Sequence, residues 1–109
     1  MIVNRIRQLE EFLKEEPNDA FLQYALALEY IKAGNYANAK NIFSKLVDNH
    51  PDYLPAFYQY GKLMEQTGDK INSIEIYRKG MELAKQKNNL KTLKELEEAI
   101  TSANEIKED

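Results

Sequence analysis

One offset constrains this chain more than any other feature: residues 34 positions apart keep matching. Pro17 and Pro51, Tyr24 and Tyr58, Gly34 and Gly68, Asn38 and Asn72, Ile42 and Ile76, and Lys45 and Lys79 are identical pairs at that spacing. Ala27/Gly61, Asn35/Asp69, Ala39/Ser73 and Phe43/Tyr77 are conservative ones. A random helical bundle is not expected to hold one offset across so many positions. A period of this length, carried by helix–turn–helix units, reads as stacked repeats in which each unit buries its apolar face against its neighbours.

The local pattern inside the period is helical. Ile2, Ile6, Leu9, Phe12 and Leu13 form an apolar stripe at spacings of three and four, as do Phe43, Leu46 and Val47, and again Ile74, Tyr77 and Met81. No segment alternates in the way a half-buried strand does. Turn signals at Pro17-Asn18-Asp19, Gly34-Asn35, Asn49-His50-Pro51-Asp52, Gly68-Asp69 and Asn88-Asn89 divide the chain into six expected helices, at 2–15, 19–33, 36–49, 53–67, 70–87 and 90–105. Gly34 and Gly68 each follow a helix and suit the left-handed conformation that closes it. Asn35 and Asp69 then stand ready to cap the next helix, and Asp52 to cap the fourth, with Pro55 in its first turn.

Placed in the 34-residue frame, the chain resembles the tetratricopeptide repeat (TPR) family, whose pattern runs W-x-x-L-G-x-x-Y, A-x-x-x-F, then P. The first repeat reads Gln23-x-x-Leu26-Ala27-x-x-Tyr30, Ala39-x-x-x-Phe43, Pro51. The second reads Phe57-x-x-Tyr60-Gly61-x-x-Met64, Ser73-x-x-x-Tyr77, with Lys85 where the proline belongs. Two departures stand out: Gln23 replaces the tryptophan, and the missing proline lets the fifth helix run past its usual end. The resemblance implies an all-α fold, a right-handed superhelical stack of antiparallel helix hairpins, over most of the chain. Small residues Ala27 and Gly61 let the two helices of a hairpin approach, and Ala39 and Ser73 face them. Phe43, Tyr60 and Tyr77 are expected to fill the space between hairpins, each worth about 1.5–3 kcal/mol when buried.

The flanks extend the frame. Leu9, Phe12 and Leu13 fall in register with Phe43, Leu46 and Val47, so the first helix reads as the second half of a degenerate repeat. Leu93, Leu96 and Ile100 fall on first-helix positions once two residues are inserted near Asn88-Asn89. Glu97 then occupies the small-residue position, which marks the last helix as a polar-faced cap. The expected organisation is a single TPR-like domain over 1–109: an N-terminal helix at 2–17, repeats at 20–51 and 54–87, and a capping helix at 90–106. Residues 105–109 read as a frayed tail.

Composition removes several function classes. With no cysteine there is no disulfide scaffold, thiolate metal site or cysteine nucleophile. Gly and Pro together number only seven, too few for a many-stranded sandwich or barrel. Fifteen Lys+Arg against eighteen Asp+Glu give a net charge of −3, which argues against a nucleic-acid partner. Lys85, Lys87, Lys91 and Lys94 make a local basic patch, but Glu95, Glu97 and Glu98 interrupt it. No apolar run has the length of a membrane span, and the first ten residues lack the apolar core of a secretory signal, so the expected location is cytoplasmic. The lone histidine, His50, reads as a turn residue, and Glu10, Glu11, Glu15 and Glu16 as a solvated face. No phosphate-binding, dinucleotide, serine-hydrolase or zinc-protease motif occurs, so neither an enzyme nor a cofactor is expected.

The remaining candidate is a surface. In TPR proteins the concave groove is lined by the first helix of each repeat, and the resemblance implies Phe21, Tyr24, Leu28, Ile31 and Lys32 in one repeat. Pro55, Tyr58, Lys62, Glu65 and Gln66 are their counterparts in the other. Phe21, Tyr24, Leu28, Lys32, Tyr58, Lys62 and Glu65 are the candidate contacts of a tyrosine-lined groove for a peptide or protein partner. Packing against the first helix is the competing role for Tyr24, Leu28 and Ile31. Co-chaperone TPR domains clamp a C-terminal carboxylate with Lys and Asn at positions held here by Tyr24, Leu28, Tyr58 and Lys62, so chaperone-tail binding is not expected. A structural alternative is weak self-association into a homo-oligomer through the stripe Leu90, Leu93, Leu96 and Ile100.

Overall fold

The structure is a computed structural model and describes residues 4–105. Six helices make up its regular structure: α1 (Arg5–Glu15), α2 (Ala20–Lys32), α3 (Tyr36–Asn49), α4 (Pro55–Gln66), α5 (Lys70–Gln86) and α6 (Leu90–Asn104). No strand occurs among the described residues, so the all-α expectation holds. Ile2 and Val3, expected in the first helix, and Ile106–Asp109 of the expected tail lie outside the described residues. The chain divides into two compact units, one ending at Ala56 and one beginning at Phe57.

Two kinds of joint connect the helices. The first recurs after α2, α4 and α5. A residue in the left-handed region follows each of these helices: Gly34 at φ 79°, Gly68 at φ 92° and Asn88 at φ 55°. Its N–H and the next N–H fold back onto the last turn. Gly34 N donates to the Ile31 carbonyl at 2.9 Å and Asn35 N to Tyr30 at 2.8 Å, and the same two bonds repeat at Gly68/Asp69 and Asn88/Asn89. The residue that completes this closure then caps the following helix. Asn35, Asp69 and Asn89 accept from the backbone N–H groups of Asn38, Asn72 and Thr92 at 3.3, 3.3 and 3.0 Å. A three-residue joint thus ends one helix and starts the next.

The second joint follows α1 and α3. Glu16 and His50 take nearly the same backbone angles, φ −130°, ψ 69° and φ −131°, ψ 67°, with a proline immediately after each. Lys85 stands where that proline would fall, and α5 continues through it: α5 has 17 residues against 14 in α3. The expected overrun is present: Lys85 has the backbone N–H that a proline lacks and no ring to clash with the preceding turn. The fifth and sixth helices are consequently joined by the first kind of joint.

One expected cap is displaced. Helix α4 begins at Pro55, so buried Leu54 occupies the capping position, and Asp52 stays in the exposed turn before it. The caps on α1 and α2 are Asn4 and Asp19, which accept from Arg7 and Leu22 N–H groups at 3.2 and 2.9 Å.

In the first unit α1 packs on α2 and α2 on α3. Leu9, Leu26, Ala27, Ala39, Phe43 and Leu46 are buried. Tyr30 Oη donates to the Glu10 carboxylate at 3.2 Å and links α1 to α2. Gln23, at the family's tryptophan position, donates its amide to the Pro17 carbonyl at 2.9 Å and ties α2 to the turn before it. Phe12 departs from expectation. Its register partner Leu46 is fully buried, but Phe12 remains 55% exposed. The equivalent position in the second unit, Gly80, meets the helix before it and the helix after it, through Phe57 and Leu96.

In the second unit Tyr60, Leu63, Ile76, Tyr77, Ala84 and Leu96 are buried. Two glycines mark close approaches. A β-carbon at Gly61 would land on the Tyr77 ring, and one at Gly80 would stand 2.8 Å from Phe57 Cβ and 3.1 Å from a Leu96 methyl. Ser73 Oγ donates to the Gly61 carbonyl at 2.8 Å, which satisfies this fully buried hydroxyl. Glu97, Lys91, Lys94 and Glu98 on α6 are exposed.

Candidate functional site

Helices α2 and α4 carry the candidate contacts, and each belongs to a different register of burial. On α2, Phe21 is 62% exposed, Lys32 is exposed, and Tyr24, Leu28 and Ile31 are half-buried. Tyr24 packs within its own unit. Its ring stands edge-on to Tyr53 at 5.6 Å and to Phe43 at 6.4 Å between centroids, spacings at which aromatic pairs attract. Tyr53 was invisible to the repeat pattern because its counterparts at the 34-residue offset are Asp19 and Lys87. Burial pushes the Tyr53 phenol above its ordinary ionisation range, and nearby Tyr24 and Asp19 push it the same way. Lys32 Nζ lies 3.7 Å from Glu29 on the same helix.

On α4, Tyr58 is half-buried and tilts against Tyr77 with centroids 6.3 Å apart. Lys62 is exposed, with its ammonium 5.9 Å from the Tyr58 ring centroid, within reach of a cation–π attraction. Glu65 is half-buried because Tyr77 holds it: the Tyr77 hydroxyl donates to Glu65 Oε1 at 2.6 Å. Burial raises the Tyr77 phenol well above its ordinary range, and the hydrogen bond to Glu65 and that residue's charge raise it further. Lys62, Glu65 and Gln66 line an open depression of ≈ 300 Å³. Pro55 is exposed at the start of the helix. The sequence reading assigned Glu65 to the groove and Tyr77 to the core without pairing them. Their spacing of 12 residues crosses a helix joint, so no single-helix periodicity connects them.

The other singled-out residues take local roles. His50 N–H donates to the Leu46 carbonyl at 2.8 Å, and its carbonyl accepts from Tyr53 N–H at 3.0 Å. Glu11 pairs with Lys14 at 2.8 Å, which lowers the Glu11 ionisation range, and Glu10, Glu15 and Glu16 are exposed. Of the apolar stripe on α6, Leu96 is fully buried, Leu93 and Ile100 are half-buried, and Leu90 is 74% exposed. Among the described residues no group of acidic and histidine side chains is arranged to hold a metal ion, and no helix is long and apolar enough to cross a membrane.

Comparison with known proteins agrees with this architecture. Tetratricopeptide repeat family patterns match residues 19–53 and 54–87. A tetratricopeptide repeat domain protein from Salinibacter ruber, solved in solution, is 35% identical over 85% of this chain and 94% of that chain, with a TM-score of 0.80. The crystal structure of a tetratricopeptide repeat domain protein from the same organism gives 36% identity over 83% of this chain and 100% of that chain, with a TM-score of 0.78. The TPR2B domain of yeast Sti1, solved in a complex with pHsp70, superposes with a TM-score of 0.85 at 17% identity, over 92% of this chain and 80% of that chain. No curated protein matches the sequence. The repeat period, the recurring joints and these similarities converge: the chain belongs to the tetratricopeptide repeat family.

Proposed function

We propose that this chain is a non-catalytic adaptor that binds a peptide segment of a partner protein through the first-helix surfaces of its two repeats. Tetratricopeptide repeat domains bind protein or peptide partners and are generally non-catalytic. The observation that carries the reading is the pair Tyr24 and Tyr58. Both occupy the same register of a first helix, and both leave part of a rigid, amphipathic ring uncovered. Such rings offer contact area at low entropic cost. Phe21, Leu28 and Lys32 in the first repeat, and Lys62 in the second, supply apolar and cationic contacts around them, with Glu65 as an acceptor. So small a surface suits a weak, transient complex. The yeast Sti1 domain is a complex with pHsp70. Tyr24, Leu28 and Tyr58 stand here where a carboxylate clamp needs polar and basic groups, so we assign this chain a different peptide.

The test is capture from a lysate with wild type beside Tyr24→Ala/Tyr58→Ala, whose helicity is checked by circular dichroism. A partner kept by wild type and lost from the folded variant supports the assignment. Equal capture by both moves the site off these helices. A bait that captures only itself would favour self-association, the alternative assembly.

A further inference from the structure

We propose that this chain self-associates by seating α1 of one copy in the groove beside α6 of another, where α1 acts as the second helix of a composite pair. The proposal goes beyond the peptide-binding reading and uses other helices. It starts from how a first and a second helix meet inside the second repeat. Ser73 on α5 bonds to the Gly61 carbonyl of α4, and further along α5 Gly80 lies against Phe57 of α4. Contacts advance along α5 as they retreat along α4, so the pair is antiparallel. In the repeat frame α6 is a first helix, with Glu97 and Leu93 at the positions of Gly61 and Phe57. Helix α1 is a second helix, with Arg5 and Phe12 at the positions of Ser73 and Gly80. Antiparallel docking therefore sets Arg5 against Glu97 and Phe12 against Leu93. It also brings the acidic end of α1, Glu15 and Glu16, to the level of Lys91, so charges match at both ends of the contact.

Both faces are open in the structure. Helices α5 and α6 flank a groove of ≈ 510 Å³, with Met81 and Ile100 among its apolar lining and Glu97 and Thr101 on the α6 side. Thr101 holds the position of Glu65, which on α4 faces α5 through Tyr77. The groove thus lies on the side of α6 where a second helix packs. On α1, Arg5 is exposed, Ile6 and Leu13 are half-buried, and Phe12 is 55% exposed where Leu46 of α3 is fully buried. The charge pair selects the occupant. A glutamate in place of the family's small residue holds off an ordinary second helix and calls for a cation. At that level α3 offers Ala39 and α5 offers Ser73, whereas α1 offers Arg5. The two faces differ, so each contact leaves one of each kind available, and copies join head to tail in a ring or an open row.

Sedimentation velocity of the chain at low salt, from micromolar to millimolar concentration, tests this. The variants are Arg5→Glu, Glu97→Arg, the two together, and Phe12→Gln, each checked for helicity by circular dichroism. An acid in the first turn of α1 suits the helix dipole, so Arg5→Glu should keep its fold. The expected result is a wild-type mass that rises with concentration. Each single charge reversal should weaken association about tenfold or more, because attraction gives way to repulsion. The double reversal should restore it, and Phe12→Gln should weaken it without touching a charge. A wild type that stays monomeric at millimolar concentration would overturn the inference. Association that both single reversals leave unchanged would also overturn it, in favour of a contact elsewhere such as the Leu90 stripe. So would folded single variants that lose association when the double reversal does not regain it. Tyr24 and Tyr58 stay intact in every variant, so these outcomes are separate from the test of peptide binding.

Discussion

The two repeats bring their helices together through different chemistry. In the first, Ala27, Ala39 and Phe43 are fully buried and wholly apolar. In the second, the same three positions hold Gly61, Ser73 and Tyr77, and two hydroxyls are set to work: Ser73 on the Gly61 carbonyl and Tyr77 on Glu65. A fourth position varies with them. Glu65, which receives the Tyr77 hydroxyl, corresponds to Ile31 in the first repeat, where Phe43 has no hydroxyl to offer. Residues that look like independent conservative changes along the chain are therefore matched sets. An apolar set tolerates loss of a contact by relaxing, whereas a polar set leaves a buried donor or acceptor without its partner.

The largest expected effect comes from Gly61→Leu. Its β-carbon alone would occupy the Tyr77 ring, so the variant should lose about 3 kcal/mol or more by urea denaturation. Near-wild-type stability would show that Tyr77 can swing away, and would break the idea of a matched set. Next come the exchanges between repeats. Tyr77→Phe should cost about 1–2 kcal/mol through the lost hydrogen bond to a charged, half-buried acceptor. Phe43→Tyr should cost about 1–3 kcal/mol by burying an unpaired hydroxyl, and adding Ile31→Glu should recover part of that loss. A double-mutant cycle with no coupling would make the two positions independent.

Alkali gives a further contrast. The folded state holds the Tyr77 phenol above its ordinary range, so folding favours the protonated form. Its contribution is complete below the ordinary tyrosine value of about 10, and is lost as pH rises from there towards the raised folded value. Stability should therefore fall above about pH 10, and less steeply in Tyr77→Phe when both are followed by thermal melts across that range. Smaller again, Asn35→Ala and Asp69→Ala should each cost about 1 kcal/mol, since each side chain caps a helix. Unequal losses would show that the two joints differ in more than sequence. The smallest effect is a gain. Among the described residues Asn88 alone has a left-handed backbone without being glycine, and Asn88→Gly should raise stability by a few tenths of a kcal/mol.

Much of the fold was legible because the relevant physics is local. The glycine and asparagine joints, the helical stripes and the missing proline act within a few residues, and the 34-residue period repeats them. Asp52 was misplaced as a cap because the buried start of α4 at Leu54 and Pro55 depends on packing that capping preference alone does not weigh. Of the candidate site, the register of Tyr24 and Tyr58 could be read from the sequence. The rings that pack against them could not, since Tyr53 lies off the repeat and Tyr77 reaches α4 from the next helix.

Local chain chemistry sets the six helices of the described residues, their joints, the repeat and the extended fifth helix, because backbone conformation answers to near neighbours along the chain. Which polar groups meet depends on packing between helices. Tyr77 meets Glu65 across a helix joint, and Gly80 is small because Phe57 and Leu96 crowd its β-carbon position rather than because its backbone turns. Those outcomes depend on side chains brought together across helices, where distance in space replaces distance in sequence.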